Sequence, residues 1–509
     1  GEPDITIVVR RGLINNDCFI RDSAGWDLAG TTLDPTPLQD LGAVAATLLR
    51  SAAITVLLIG VFSITHRLGR SRPLPVASLR MKARPLAAAL AIAAVGLSGW
   101  VALGVLEGLP HTPDSLVYLM QADWLLEGSL WGQISQYQEY LSIPFTYLDA
   151  DRWLAHYPPG WPSVLAVGRA VGVPWLVAPA MGAVFLLLLY LTGRELGGDF
   201  LGLVAATLGL ISPTTRLLFG SMLSHAVTAT LILAALYLTL VARNRGRWVM
   251  AAAAGAALGL AFGIRPLTAV AVALPLGVRL ALDLVASHKD RRATRRFAGR
   301  VTGILVAALP ALYANFLITG NGFAFPYSFA SGSMYGVANI PFGLRNLDAL
   351  LASFAAGVYG WGWPLFHGVL PGAVALAFAF VPFVASRWRS NDVVLAAVIG
   401  CVVLAHLGTR GHGMHGFGAR YYFEIFAPFF LLTARGFQEL GRARGDRGSS
   451  ERRAAVIASM GLFLALCLPA GASLPQRLSL YRGYNGVDSS LLRQLDETKA
   501  ERAMILLPP

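Results

Sequence analysis

The sequence predicts an all-α polytopic membrane protein with about twelve membrane-spanning helices. Three observations carry that prediction. Charged residues make up only 14% of the 509 residues, against about 25% in ordinary soluble domains. Hydrophobic residues make up 55% and mean hydropathy is +0.58, more apolar surface than a soluble chain of this size can hide. The apolar residues also cluster in long runs, as a hydrocarbon layer about 30 Å thick demands. Soluble, disordered and fibrous classes are thereby excluded. The chain carries 41 Lys and Arg against 28 Asp and Glu, a formal net charge of +13. In a soluble protein that excess would raise the question of nucleic acid; here it belongs to cytoplasmic loops, and no nucleic-acid partner is expected. The three cysteines, Cys18, Cys401 and Cys467, are too few for a disulfide framework or a cysteine-based metal site.

In chain order the apolar runs lie near 42–64, 85–106, 174–193, 200–212, 220–242, 248–264, 266–286, 301–318, 365–385, 392–408, 420–434 and 454–473. The run at 200–212 is short for a span and is expected to extend toward Leu218 or to tilt. Glycine and proline inside the runs do not forbid helices, because lipid offers the backbone no other hydrogen-bond partner. Alternating the loops across the bilayer tests the count. The loops near 65–84, 194–199, 243–247, 287–300, 386–391 and 435–453 hold 24 Lys and Arg; the other, much longer side holds 14. The first side is therefore cytoplasmic, and both termini face outward.

This gives four parts. Residues 1–41 form a polar extracytoplasmic segment, and 42–84 an additional span with a basic cytoplasmic loop. Residues 85–475 form the main transmembrane domain, and 476–509 an extracytoplasmic tail. The segment 1–41 has no initiator Met and no signal-peptide n-region or h-region, so it reads as truncated or processed. Residues 502–509 read as the first strand of a domain that stops. No repeat of 20–50 residues is visible.

Two long outer segments, 107–173 and 319–364, are the places where function is expected, because structureless loops of that length are uncommon in compact folds. The first is rich in aromatic residues, which also suit an interface belt. It opens with His111-Thr-Pro-Asp-Ser. Thr112 is a candidate N-cap and Pro113 suits the first helical position. Leu116, Leu119, Met120 and Ala122 to Leu126 then predict an amphipathic juxtamembrane helix ending at Gly128 and lying in the membrane plane. Asp114 falls on its first turn, where it would also complement the helix dipole. The segment closes on His156-Tyr-Pro-Pro-Gly-Trp-Pro162, a rigid turn.

This order of features resembles the GT-C class of membrane glycosyltransferases, in particular its protein O-mannosyltransferase and lipid A aminoarabinose transferase branch. Asp114, Tyr118, Ala122 and Leu125-Leu-Glu-Gly128 fall on the pattern, as does Tyr157-Pro-Pro-Gly160. Gly193-Arg-Glu-Leu-Gly197 and Ile211-Ser-Pro213 are similar to a cytoplasmic and an outer turn of the class. Gly418-Ala-Arg-Tyr-Tyr422 with Pro428 and Leu431-Leu-Thr-Ala-Arg-Gly436 is similar to its late segment. The resemblance covers about 85–475. One departure stands out: the class often has Asp-Glu where this chain has Asp114-Ser115. A second acidic role would have to come from Asp123, Glu139, Asp149 or Asp151.

The resemblance implies a GT-C fold and an enzyme of the cell inner or plasma membrane. Its donor would be a polyprenyl-phosphate sugar, its acceptor a lipid, glycan or protein, and its active site would face outward. Such a reaction needs a base for the acceptor hydroxyl, and Asp114 suits it. The phosphate leaving group needs positive charge, and Arg forks phosphate best. Arg420, Arg265 and Arg410 are the donor-phosphate candidates; the competing reading is snorkelling to lipid headgroups. His156, Tyr157, Tyr118, His412 and His415 are the substrate-binding candidates. His412 and His415 sit on a Gly-rich loop and would need a carboxylate as third metal ligand; no cofactor is expected, and a divalent metal is left open but not indicated. His225 and His367 read as structural. Neither a P-loop nor a Rossmann fingerprint is present, which fits a lipid-linked rather than a nucleotide donor. A ligase or polymerase using a lipid diphosphate is the enzymatic alternative, and a secondary transporter or flippase the non-enzymatic one. A transporter should show repeated halves and paired intramembrane charges. The sequence shows no such symmetry, and Arg50, Arg169 and Arg279 lie in or beside apolar runs without evident acidic partners.

Overall fold

A backbone amide inside lipid has no water to bond, so an apolar run must close its hydrogen bonds within itself. The computed structural model describes residues 4–8, 76–134, 143–286, 291–327, 378–409, 420–442, 478, 481–490, 493 and 502–506. Among them six helices are long and apolar enough to cross a membrane: Ala83–Val105, Pro174–Gly197, His225–Arg245, Pro266–Ala286, Arg291–Thr319 and Ser390–Leu407. Each answers one of the runs read from the sequence. The chain is a multi-pass, predominantly helical membrane protein. The runs at 42–64 and 454–473, and most of 365–385, lie outside the described residues.

In chain order, strand β1 (Asp4–Val8) is followed by helix α1 (Val76–Trp100), continued by a π turn to Val105, and by α2 (Pro113–Leu126). A small antiparallel sheet comes next: β2 (Gly132–Gln133), β3 (Thr146–Asp149) and β4 (Arg152–Ala155), with β4 in the middle. Then come α3 (Gly160–Ala170), α4 (Pro174–Gly197), α5 (Asp199–Ile211), α6 (Pro213–Gly220), α7 (His225–Arg245) and α8 (Trp248–Phe262). Helices α9 (Pro266–Ala286), α10 (Arg291–Thr319) and α11 (Ser390–Leu407) follow. A 3-10 turn, Arg420–Ile425, leads into α12 (Phe426–Arg442). Strand β5 (Arg502–Leu506) pairs in parallel with β1, Asp4 opposite Arg502. The strand read at 502–509 is thus present, and its partner is the other end of the chain.

Two runs differ from their expected shape. The run at 200–212 neither extends straight nor merely tilts: it ends at Ile211, and α6 leaves it at 66°. Pro213 is the reason. It has no N–H and forces the preceding Ser212 into an extended conformation, ψ 121°. The run at 420–434 starts as the 3-10 turn and becomes α-helical only at Phe426.

Helix faces meet through small residues, as in other membrane bundles. A Cβ at Gly255 of α8 would collide with the Arg300 carbonyl of α10, and one at Gly303 with the Ala252 carbonyl. At Gly193 and Gly202, α4 and α5 touch in the same way. A buried aromatic cluster, Phe185, Phe219, Phe423, Phe426 and Phe430, ties α4, α6 and α12 together.

Polar side chains collect at the two ends of the bundle. At one end, the Gly193-Arg-Glu-Leu-Gly197 turn is held by Arg194 to Asp199 at 3.2 Å and by Arg245 to Glu195 at 2.7 Å. Behind it Arg435, 1% exposed, donates to Glu439 at 2.6 Å and Gln438 at 2.7 Å, and lies 3.4 Å from Asp392. Gln438 in turn donates to the Gly197 carbonyl at 2.9 Å. Breaking a buried ion network from one side leaves the remaining charges uncompensated, at about 3–5 kcal/mol. Arg435→Met should therefore lower the unfolding midpoint in detergent sharply. An unchanged midpoint would mean that Asp392 and Glu439 do not depend on Arg435.

Candidate active site

The other end of the bundle carries the second polar layer, and α2 begins it. The Thr112 hydroxyl accepts from the Ser115 N–H at 3.2 Å, and Pro113 takes the first helical position, so the predicted cap is the observed one. Capping fixes Asp114 on the first turn. The helix runs to Leu126, and Gly128 with φ +80° makes the turn out of it. Its apolar residues are divided, Val117 and Ala122 buried, Leu116 and Leu126 exposed.

The Tyr157-Pro-Pro-Gly160 turn is pressed against this helix. The Gln121 side-chain amide donates to the Tyr157 carbonyl at 2.9 Å. The Gly160 N–H donates to the Gly263 carbonyl at 3.2 Å, and any Cβ at Gly160 would collide with that carbonyl. Only glycine lets the loop approach the turn that presents Arg265. The fully buried Trp161 donates from its indole to the Met222 carbonyl at 2.8 Å, anchoring the start of α3.

With these elements in place, Asp114 meets Arg420 across 306 positions of sequence, its Oδ2 3.4 Å from Nη1 and 3.5 Å from Nη2. The Tyr157 hydroxyl donates to the other carboxylate oxygen at 2.7 Å. Tyr118 packs its ring on Tyr157, centroids 4.6 Å apart, and its hydroxyl lies 3.2 Å from Ser224 Oγ. Burial, reinforced by the Asp114 charge, raises the pKa of both phenols above the usual 10, so both stay protonated near neutral pH. A second pair adjoins the first. Arg265 Nε lies 3.1 Å from Oε1 of the fully buried Glu424, and Nη1 donates to His225 Nε2 at 3.1 Å. That bond leaves the His225 proton on Nδ1, 3.5 Å from Glu424 Oε1. Tyr421 sits between the pairs, with Arg265 and Arg420 over its ring at 5.3 and 5.7 Å.

The arrangement is two guanidiniums and two carboxylates, largely buried, at one end of a membrane bundle. The contacts of Arg420 to Asp114 are long for a charge-assisted bond, which is typically about 2.7–2.9 Å. Arg420 Nε has no hydrogen-bond partner among the described residues. The site can therefore offer donors to an arriving anion and a carboxylate to a proton.

Of the residues singled out from sequence, Asp114, Arg420, Arg265, Tyr118 and Tyr157 come together here. Arg420 is 4% exposed, which removes the snorkelling alternative for it. His156 stands one shell back, 3% exposed, its ring against Phe145, Tyr157 and Tyr327. Burial lowers its pKa to about 4, so it is neutral near pH 7 and backs Tyr157 rather than carrying charge. Arg410, His412 and His415 lie outside the described residues, as do Glu139 and His367. Two of the other candidate acids are occupied elsewhere: Asp123 pairs with Arg169 at 2.7 Å, and Asp149 pairs with Arg152 in the β3–β4 hairpin, next to the exposed Asp151. One sequence reading is corrected. Arg169 and Arg279 do have acidic partners, Asp123 and Asp283, the latter at 3.3 Å. His225, read as structural, is buried and accepts from Arg265, so its place is within this polar layer. Glu424 was missed, although an acid inside an apolar run is itself a pointer to function. It stands two residues beyond the Arg420-Tyr-Tyr422 motif.

The helical bundle that carries this buried acid and arginine pair has the GT-C fold. Among solved structures, ArnT from Cupriavidus metallidurans bound to undecaprenyl phosphate shares this fold with a TM-score of 0.50. The match is 14% identical over 79% of this chain and 77% of that one. The archaeal oligosaccharyltransferase AglB from Archaeoglobus fulgidus, solved with an inhibitory peptide and a dolichol-phosphate, matches at 15% identity and a TM-score of 0.46. There 77% of this chain is covered and 56% of that one. No protein-family profile and no curated protein sequence matches the chain.

Proposed function

We propose that the chain is a membrane glycosyltransferase that moves a sugar from a polyprenyl-phosphate donor to an acceptor hydroxyl, with inversion, on the extracytoplasmic face. The observation that carries this reading is the meeting of Asp114 and Arg420 in a buried layer at the end of the bundle opposite the arginine-rich turns. The excess of basic residues in those turns supports placing the site outside. The fold shared with ArnT, whose structure holds undecaprenyl phosphate, supports a lipid-phosphate donor.

The step balances as a single displacement. The acceptor oxygen attacks the anomeric carbon, and its proton passes to Asp114. The carbon–oxygen bond to phosphate breaks, and polyprenyl phosphate leaves with the electron pair. Arg420 turns its fork from Asp114 to the phosphate as the donor arrives, which frees the carboxylate for the proton. Arg265 adds positive charge, while Glu424 and His225 hold it in place; Arg410 is assigned to the same phosphate from sequence. Tyr157 orients Asp114, and Tyr118 and His156 hold Tyr157. His412 and His415 remain assigned to substrate contacts. Two guanidiniums meet the phosphate charge, so the reading uses no cofactor and no metal. The acceptor is a lipid, glycan or protein hydroxyl.

The direct test is incubation of the purified full chain with synthetic polyprenyl-phosphate sugars and analysis of the lipid product. Released polyprenyl phosphate is expected. Release of a diphosphate would favour a polymerase or ligase, and an intact donor moved across a vesicle membrane would favour a flippase; either would overturn the reading. Sidedness has its own test in a cysteine-free background. Glu127→Cys should react with an impermeant maleimide on intact cells, and Arg247→Cys only after permeabilisation. Labelling of both on one side would break the alternation.

A further inference from the structure

At the end of the bundle away from Asp114, α7, α9, α10 and α11 leave an open pocket between them. Its apolar lining includes Leu236, Leu276 and Leu395, and its polar lining includes Arg243, Arg279, Arg296, Arg300, Asp283 and Asn391. Four guanidiniums thus face one carboxylate. That carboxylate is already taken, by Arg243 Nε at 3.3 Å and by Arg279 Nη2 at 3.3 Å.

Arg300 is the group that needs explaining. It is 4% exposed, and its helix packs closely on α8, the Arg300 carbonyl lying against Gly255. Its Nη2 donates to Thr239 Oγ1 at 2.6 Å. Its Nε and Nη1 are buried and have no hydrogen-bond partner among the described residues. The Nε of Arg279, on the facing helix, is in the same condition. A buried cation with spare donors is costly unless an anion meets it. Arginine keeps its charge, so it cannot escape the cost by losing a proton.

We infer that this pocket binds the phosphate headgroup of an anionic membrane lipid, with the phosphate between Arg300 and Arg279 and the tail against the lining leucines. The chemistry fits on three counts. Guanidinium forks match phosphate oxygens in pairs. The lining offers donors against a single, already occupied acceptor. The lining combines guanidiniums with leucines as a lipid combines headgroup and tail, and basic pockets between spanning helices on the cytoplasmic side are suited to such headgroups. This site is separate from the Asp114 layer and does not depend on the transfer reaction. Two sources share the chemistry, a resident anionic phospholipid and a polyprenyl phosphate.

The test counts lipid retained by the purified full chain, using native mass spectrometry after exchange into mild detergent with one added probe at a time. The probes are phosphatidylglycerol, polyprenyl phosphate, phosphatidylcholine and inorganic phosphate. The wild-type chain should retain phosphatidylglycerol or polyprenyl phosphate at least tenfold better than phosphatidylcholine, and the preferred one identifies the source. Arg300→Gln should lose that preference. Should Arg300→Gln fail to fold, the Arg279→Gln Arg296→Gln double variant, at half-exposed positions, should lose it as well. Arg291→Gln, exposed on the same helix, should keep it. Equal retention of phosphatidylcholine, retention unchanged in the pocket variants, or binding of inorganic phosphate without lipid would each overturn the assignment.

Discussion

Asp114→Asn is expected to slow sugar transfer by about two to four orders of magnitude, the range that a positioned general base supplies. The asparagine keeps the size of the side chain and an oxygen for the Tyr157 hydroxyl, which now donates to Asp114 at 2.7 Å. It loses the capacity to take the acceptor's proton. From sequence alone the folding cost would be that of a first-turn carboxylate at a helix N-terminus, about 0.3–1 kcal/mol. The structure raises that figure, because Asp114 is also the counter-charge of the buried Arg420. The rate must therefore be measured on the folded fraction, with the unfolding midpoint followed separately. Asp123→Asn is the control. Asp123 lies on the same helix, exposed and paired with Arg169, and its loss should change the rate by less than about threefold, well under the tenfold worth about 1.4 kcal/mol. If the two variants slow transfer alike, or if Asp114→Asn turns over purified donor at the wild-type rate, Asp114 is not the base. Glu424, the other buried acid of the layer, would then be the group to test.

What was legible in the sequence was what local pattern encodes. Apolar length marks spans, so the run read at 85–106 is the helix Ala83–Val105, and that at 174–193 is Pro174–Gly197. Capping is local too, which is why Thr112 and Pro113 placed Asp114 correctly. Arg420 was legible because a cation at the head of an apolar run is conspicuous. Pairing across the fold was not. His225, Arg265 and Glu424 each sit inside or beside apolar runs, and nothing local tells that three helix ends will bring them within 3.5 Å. Averaging hydropathy over a run hides one glutamate among phenylalanines. The same limit explains why Arg279 seemed unpaired, although Asp283 is only one turn further along its own helix. The bend at Ser212 was legible in principle, since a proline restrains the residue before it, but the run was read for length first.

Arg420→Lys tests the other half of the pair, and its expected cost is at least tenfold in kcat/KM. Lysine keeps the charge but has no planar fork, and it cannot span Asp114 and a phosphate with separate nitrogens of one rigid plane. In the resting site Arg420 spends both Nη groups on Asp114, at 3.4 and 3.5 Å, and has Nε to spare. A lysine can hold Asp114 or the phosphate well, but not exchange one for the other without moving. The loss should consequently appear in kcat as well as in KM, because the exchange frees the base as it binds the leaving group. Arg420→Gln removes the charge and should fall further, by about the 10²–10³ that loss of one transition-state donor costs. Binding of polyprenyl phosphate, the expected product, supplies a readout that a merely structural role would not move. It should weaken in parallel in both variants while the unfolding midpoint of Arg420→Lys stays near that of the wild type. If Arg420→Lys transfers sugar within about threefold of the wild type, well inside the tenfold that 1.4 kcal/mol represents, the guanidinium is only the partner of Asp114, and the donor phosphate is held by Arg265 or Arg410.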